Sequence, residues 1–200
     1  MAIFEYGEVE LGYLRERDEK LAQVINRVGM IEREVVPDLF TALMKSIVGQ
    51  QISTKAAHTV WKRMQENFGE LKPTIIEKAM IDDIQRCGIS ARKANYIKGI
   101  AEAVMEERIL LDEFPNMSDQ EIIKTLTSLH GVGVWTAEML LIFSMKRKDV
   151  ISWGDLAIRR GIMRLYGLEN LTKKDFEKYK QRYSPYSSIA SFYIWVLGNE

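Results

Sequence analysis

The chain has 200 residues, of which 46% are hydrophobic and 28% are charged, a composition typical of folded globular proteins and not of disordered ones. No apolar run reaches the roughly 18 residues of a membrane-spanning helix, and residues 1–30 are too charged for a signal peptide, so we expect a soluble, cytoplasmic protein without a membrane partner. The charges of the 28 basic and 28 acidic residues cancel, so the formal net charge is zero. The single cysteine, Cys87, excludes a disulfide framework, a four-cysteine zinc site and a four-cysteine iron–sulfur cluster.

In the first half of the chain, apolar residues recur mostly at the helical spacing of three and four. Phe4–Val9 shows the only alternation that resembles a strand. Leu39–Ile47 predicts a helix, and Ser53 is a typical N-cap for the helix that follows. Pro73 is placed to begin another helix.

The second half continues the helical pattern. Arg92–Glu107 predicts one helix, and Ser118 with Glu121 forms the sequence pattern of a capping box before an apolar helix. Asp155–Tyr166 carries apolar residues on one side and arginines on the other. The sequence therefore predicts an all-α protein built from short helices.

The polar stretch 145–154 is the one candidate connection between domains in the second half. We expect a central helical bundle of residues 36–148, and a second helical lobe in which residues 1–35 pack with residues 149–200. An active-site cleft is expected between the two lobes.

Charge is unevenly distributed along the chain. Residues 39–65 and 85–98 each contain four basic residues and no acid, and residues 140–182 contain eleven bases against five acids. Residues 102–121 hold seven acids and one arginine. A chain with zero net charge can therefore still present one positive face, although ordinary solvated helix faces would give the same pattern.

The most informative motif is LHGVGVWTA, residues 129–137, inside the segment 119–145. One helix ends, Gly131 and Gly133 allow a tight hairpin, and an apolar helix begins at once. The N–H groups at the start of that helix are suited to bind phosphate. A plain helical turn remains the alternative, because glycines at this spacing are common.

Three windows in this order resemble the helix-hairpin-helix DNA glycosylases of the endonuclease III superfamily, and most of all the 3-methyladenine (alkylpurine) DNA glycosylases. They are the hairpin LHGVGVWTA, the stretch FTALMKSIVGQQISTKAA from Phe40 to Ala57, and DVISWGDLAIRR from Asp149 to Arg160. The resemblance implies two helical lobes around a helix-hairpin-helix motif. It also implies base excision repair of double-stranded DNA by a monomeric hydrolase, nucleoid-associated if prokaryotic.

The resemblance makes Asp155 the catalytic aspartate. At a helix start its carboxylate is favoured by the helix dipole, and it could stabilise the oxocarbenium-like sugar while the glycosidic bond breaks. A simple N-cap is the alternative for any aspartate at this position. Trp135 stands where relatives with lyase activity have a lysine, which implies a monofunctional glycosylase that leaves an intact abasic site.

The flipped base needs an aromatic pocket, for which Tyr186, Trp153 and Trp135 are the candidates. Ile89–Ala91 matches the loop that fills the gap in the duplex, with Ile89 the largest side chain there, and Gln51 matches the residue that takes the orphaned position; a polar turn is the alternative for Gln51. The residues expected to contact DNA are Lys45, Gln51, Lys55, Ile89, Ser90, Ala91, Arg92, Lys93, Gly131, Gly133, Val134 and Thr136.

The resemblance also implies that the backbone carbonyls of Thr127, Leu129 and Val132 hold a Na⁺ or K⁺ ion shared with a DNA phosphate. No other cofactor is expected. Two alternative functions remain open from the sequence. One is a monofunctional glycosylase for deaminated, mismatched or oxidised bases, and the other is a non-catalytic helix-hairpin-helix DNA-binding protein, which would not need an acid at position 155.

Overall fold

The computed structural model describes residues 2–199, and these are mostly helical, which confirms the all-α prediction. The chain forms two compact units: a terminal unit of residues 1–35 and 141–200, and a central unit of residues 36–140. The boundary between residues 140 and 141 falls inside the helix Val134–Phe143, whereas the sequence predicts a boundary after residue 148, in the polar stretch that follows this helix. Within residues 2–199, no helix combines the length and apolar character required to cross a membrane.

The terminal unit places a short two-stranded sheet beside a group of helices. The two strands of this unit are antiparallel, with Ala2 opposite Val35. Its elements are β1 Ala2–Ile3, α1 Glu8–Arg17, α2 Glu19–Val28, β2 Glu34–Val35, α10 Leu156–Tyr166, α11 Lys173–Tyr183 and α12 Ser187–Asn199.

The strand expected at Phe4–Val9 is wrong, because α1 already begins at Glu8. The backbone N–H of Gly7 donates to the Glu10 carboxylate at 2.9 Å, which closes the first turn of the helix. The alternation has another cause: Phe4 is buried edge-on against Phe192, with ring centroids 5.1 Å apart.

Two glycines bring α10 and α12 into backbone contact. A Cβ atom at Gly161 would lie 2.2 Å from the carbonyl oxygen of Ile194, and one at Gly198 would lie 2.1 Å from that of Ala157. No side chain fits at either position without moving the helices apart. This close packing fixes the position of α10, the helix that follows Asp155.

The central unit is entirely helical. Ser53 and Ser118 each accept a hydrogen bond from the backbone N–H three residues later, and Pro73 occupies the first turn of its helix, so these predicted helix starts are confirmed. Ser90 caps the helix Ala91–Met105 in the same way. Its elements are α3 Leu39–Gly49, α4 Thr54–Phe68, α5 Pro73–Ile76, α6 Ile81–Arg86, α7 Ala91–Met105, a 3₁₀ helix Leu111–Asn116, α8 Asp119–Thr127 and the first part of α9 Val134–Phe143.

Candidate functional site

The hairpin between α8 and α9 contains two glycines in different situations. Gly131 has φ +87°, and a Cβ atom there would lie 2.3 Å from the ring of Tyr96 on α7. Packing against Tyr96 and the positive φ therefore require glycine at position 131, independently of any contact with DNA. Gly133 is exposed, and a Cβ atom there would meet nothing within 4 Å.

The start of α9 combines exposed and buried residues. Val134 and Trp135 are 55% and 44% exposed, although both are large apolar residues. Thr136 is only 4% exposed, which does not fit the contact with DNA expected from it. The N–H groups of a first helical turn have no acceptor within the helix, which suits them to bind an anion.

The turn between α3 and α4, residues 50–53, is the second part of the candidate site in the central unit. Gln51 is exposed and has φ +57°, a left-handed conformation that is uncommon for residues other than glycine. A depression of about 400 Å³ lies between this turn and the start of α7, where Ser90 and Arg92 line it. A second depression, of about 430 Å³, lies between the same turn and Trp135.

Two side chains join this turn to other segments of the central unit. The ammonium of Lys93 donates to the carbonyls of Val48 and Gln50, at 2.9 and 2.5 Å. The amide nitrogen of Gln50 donates to the carbonyl of Gly131 at 2.8 Å. Desolvation by burial, together with the nearby charge of Arg92, lowers the pKa of Lys93. The sequence singled out neither Gln50 nor these contacts, because they depend on the meeting of three distant segments.

The other predicted DNA contacts of the central unit differ in accessibility. Lys55 and Arg92 are exposed, and Lys45 lies over the ring of Trp61, 5.2 Å from its centroid. Ser90 caps α7, and Ala91 is exposed at its first position. Ile89 is only 7% exposed and belongs to the core; its burial does not fit the expected insertion of this side chain into DNA.

In the terminal unit, Asp155 is the N-cap of α10, immediately before the helix and not at its first position. Its Oδ1 accepts a hydrogen bond from the backbone N–H of Ile158 at 3.0 Å, and the residue is 9% exposed. The carboxylate is therefore oriented by the helix start and mostly shielded from solvent.

The segment before Asp155 is clamped to the start of α12. Asp149 accepts hydrogen bonds from the hydroxyls of Ser184 and Ser187, at 2.6 and 2.5 Å. The Ser188 hydroxyl donates to the carbonyl of Arg147 at 2.7 Å and accepts from the N–H of Val150 at 2.9 Å. These hydrogen bonds give Asp149 a structural role in the clamp, which the sequence alone did not predict.

The three candidate pocket aromatics do not share one environment. Trp153 packs edge-on against Phe176 at 5.3 Å, and the guanidinium of Arg159 lies 5.1 Å from its ring centroid. Tyr186 packs edge-on against Tyr13 at 5.2 Å. These two residues belong to the terminal unit with Asp155, whereas Trp135 belongs to the central unit.

Within residues 2–199, no cluster of three or more histidine, cysteine, aspartate or glutamate side chains is arranged to hold a metal ion. The hairpin offers backbone oxygens instead. The carbonyl of Leu129 accepts one hydrogen bond, from the N–H of Val132 at 3.2 Å, and a carbonyl oxygen has a second lone pair. Oxygen donors of this kind are suited to hard cations.

Known proteins resemble this chain over nearly its whole length. It is 32% identical to DNA-3-methyladenine glycosylase 1 of Schizosaccharomyces pombe, over 94% of this chain and 85% of that protein. The crystal structure of a DNA-3-methyladenine glycosidase from Bacillus halodurans matches with a TM-score of 0.88 at 32% identity, covering 99% of this chain and 93% of that one. The S. pombe 3-methyladenine DNA glycosylase in complex with abasic DNA matches with a TM-score of 0.81 at 32% identity, covering 94% and 95%.

The model of the HhH-GPD superfamily, described as base excision DNA repair proteins, matches residues 44–185. This range includes the turn at Gln51, the hairpin and Asp155. The chain therefore belongs to the HhH-GPD superfamily of base excision DNA repair proteins.

Proposed function

We propose that this protein is a monofunctional DNA glycosylase that flips out alkylated purines such as 3-methyladenine, and hydrolyses their N-glycosidic bond to leave an abasic site. The observation that carries the proposal is the buried carboxylate of Asp155 at the start of α10, in a chain of the base excision repair superfamily. The similarity to 3-methyladenine glycosylases from two organisms supports the substrate class. The enzyme would work in the compartment that holds the genome.

The proposed chemistry assigns one task to Asp155. A purine methylated at N3 or N7 already carries positive charge, so it leaves as a neutral base with the electron pair of the glycosidic bond. Positive charge then develops on the sugar, and a carboxylate close to C1′ stabilises it. Water attacks C1′ and loses a proton, for which Asp155 is the proposed acceptor.

We expect no lyase activity, because the residue at the position of the lysine nucleophile is a tryptophan. Strand cleavage of this type begins with a lysine amine that attacks the sugar carbon, and an indole such as that of Trp135 cannot form the Schiff base. In the terminal unit, Lys146 and Lys148 are paired with Glu5 and Glu10, at 3.3 and 2.7 Å. These ion pairs support the view that neither lysine replaces the missing nucleophile.

DNA binding is proposed to use the hairpin and the turn at Gln51. The exposed Gly133 leaves space in which a phosphate can approach the N–H groups of α9, and Lys45, Lys55 and Arg92 supply positive charge. A Na⁺ or K⁺ ion at the carbonyls of Thr127, Leu129 and Val132 would add further positive charge beside the phosphate. Gln51 is proposed to fill the space left by the flipped base, with Ser90 and Ala91 approaching the same strand gap.

Of the two pocket candidates in the terminal unit, Tyr186 is proposed to contact the base ahead of Trp153. A cationic purine is attracted to the face of an aromatic ring, but the guanidinium of Arg159 already lies over Trp153. The charge of Arg159 would repel a second cation there. Trp153 is therefore better suited to support the segment that carries Asp155.

The experiment that tests the function is a base-release assay on DNA methylated at random, with the released purines identified. We expect 3-methyladenine among the products, and an intact strand at each abasic site. Release from deaminated, mismatched or oxidised substrates alone would replace the proposed substrate class. Duplex binding without release of any base would indicate a DNA-binding protein without catalysis.

A further inference from the structure

The contacts of Lys93 differ from those that its position in the sequence predicts. It lies in a basic stretch at the start of α7 and was expected to contact phosphate. Its ammonium instead donates to two carbonyls at the end of α3, those of Val48 and Gln50. A lysine that caps the last carbonyls of a helix interacts favourably with the negative end of that helix, so the ammonium of Lys93 is already engaged by the protein.

The turn that Lys93 holds also contacts the hairpin. The backbone carbonyl of Gln50 accepts a hydrogen bond from Lys93, and the side-chain amide nitrogen of Gln50 donates to the carbonyl of Gly131 at 2.8 Å. Gly131 in turn lies against Tyr96, one helical turn after Lys93 on α7. The first half of α7 therefore supports both the turn at residues 50–53 and the hairpin, all within the central unit.

The conformation held in this way is unfavourable by itself. Gln51 has φ +57° and is exposed, and a residue other than glycine persists in this region only when its surroundings fix the backbone. The bonds of Gln50 and Lys93 fix the residue immediately before Gln51 on both its carbonyl and its side chain. Without them, Gln51 would be free to relax to a commoner conformation and point elsewhere.

We propose that Lys93 and Gln50 are positioning residues that join the phosphate-binding hairpin to the turn of Gln51. When the hairpin holds the DNA backbone, these bonds place Gln51 at the strand gap. Neither residue touches the reacting atoms. The inference rests on the proposed function, since it deepens the role given there to Gln51.

The matched control is Lys98, which has the same chemistry on the same helix. Its ammonium donates to the carbonyls of Glu77 and Ala79 after α5, at 2.7 and 2.8 Å. Lys98→Met therefore removes two lysine–carbonyl hydrogen bonds, as Lys93→Met does, but at a place without contact to the turn. Lys93→Arg retains a cationic donor, and Gln50→Leu removes only the bond to Gly131 while keeping side-chain volume.

The experiment measures insertion, binding and excision separately. The DNA is a duplex with a tetrahydrofuran abasic analogue opposite 2-aminopurine, whose fluorescence responds when a side chain enters the gap. For Lys93→Met and Gln50→Leu we expect most of the fluorescence change to be lost, while the slope of log affinity against log salt stays at the wild-type value. Excision from methylated DNA under single-turnover conditions should fall about tenfold or more, because a small misplacement of a positioning group costs this much. Lys98→Met should behave like the wild type, and Lys93→Arg, which retains a cationic donor, should keep more of the fluorescence change than Lys93→Met does.

The result that would overturn the inference is a phosphate contact. In that case Lys93→Met would lower the salt slope by about 0.9, the value for one neutralised phosphate, with the fluorescence change intact; Arg92→Gln provides the reference for such a loss. Equal fluorescence changes and excision rates for Lys93→Met and Lys98→Met would also overturn the inference. If Lys93→Met does not fold, the same measurements on Gln50→Leu test the inference instead. A wild-type protein that inserts into the abasic duplex but releases no purine would contradict the proposed function alone, since the fluorescence measurement needs no catalysis.

Discussion

Gly131 lies directly against the ring of Tyr96, so that a Cβ atom at position 131 would stand 2.3 Å from the ring atom Cδ2. The hairpin is thereby seated on α7, and its first glycine is required by packing and by its positive φ. The second glycine, Gly133, is required neither by packing nor by a positive φ. The different environments of these two residues allow the structural role of the hairpin to be separated from its role in binding.

Gly133→Val should leave the fold nearly unchanged and weaken binding to any duplex. The new side chain has space in the protein but occupies the approach of the phosphate. We expect affinity to fall about tenfold or more, since hydrogen bonds to charged groups are worth ~1.5–3 kcal/mol. Fluorescence anisotropy with an undamaged duplex measures the affinity, and circular dichroism checks the fold.

Gly131→Ala is the control at the same hairpin. It should lower the melting temperature, because the Cβ atom clashes with Tyr96 and the positive φ becomes strained. Unchanged duplex affinity in Gly133→Val would show that the hairpin is only a structural turn.

The wild-type protein should give no covalent adduct when it is incubated with abasic DNA and sodium borohydride. Trapping requires a lysine Schiff base with the sugar, and Trp135 supplies no amine. A bifunctional glycosylase in the same buffer serves as the positive control on denaturing gels. If an adduct forms, Lys146→Gln and Lys148→Gln would identify whether one of the two paired lysines has been recruited.

Gly161→Ala should destabilise the protein, because its Cβ atom would lie 2.2 Å from the carbonyl oxygen of Ile194. Overpacking a close contact costs ~1–3 kcal/mol. Gly12→Ala is the matched control: it lies inside α1 of the same unit, and its Cβ atom would meet nothing within 4 Å. There the better helix propensity of alanine should raise the free energy of unfolding by up to ~1 kcal/mol.

Urea unfolding of the two glycine variants gives both free energies. If Gly161→Ala is as stable as Gly12→Ala, the close approach of α10 and α12 does not hold in solution, and the packing described for the helix that follows Asp155 is wrong.

Local patterns in the sequence predicted most of the helices. Ser53, Pro73 and Ser118 mark helix starts by chemistry that acts within three or four residues, and the structure has these caps. The strand expected at Phe4–Val9 failed because its alternation reflects burial of Phe4 against Phe192, a residue far away in the chain. Helix periodicity therefore predicted more of the fold than short alternating runs did.

The candidate site was predicted less completely, for a related reason. Charge density suggested Lys93 as a phosphate contact, but carbonyls at the end of α3, more than forty positions earlier in the chain, direct its ammonium inward. The family resemblance predicts Ile89 in a DNA-contacting loop, whereas its side chain is buried in the core. Gln50 and the clamp around Asp149 were missed because their partners are known only once the chain is folded.

Asp155→Asn tests the central claim most directly. Asparagine keeps the side-chain shape and is a good N-cap, so it can still accept the hydrogen bond from the N–H of Ile158 that Asp155 Oδ1 accepts at 3.0 Å. Duplex affinity and melting temperature should therefore stay close to those of the wild type. The negative charge beside the sugar is lost, however, and loss of one such electrostatic group costs ~3 kcal/mol or more, about a hundredfold in rate.

The measurement is the single-turnover rate of 3-methyladenine release from methylated DNA by folded, DNA-binding Asp155→Asn. The account predicts a rate at least about a hundredfold below that of the wild type. A rate within about threefold of the wild type would show that Asp155 is only a helix cap, and would contradict its assignment as the catalytic residue.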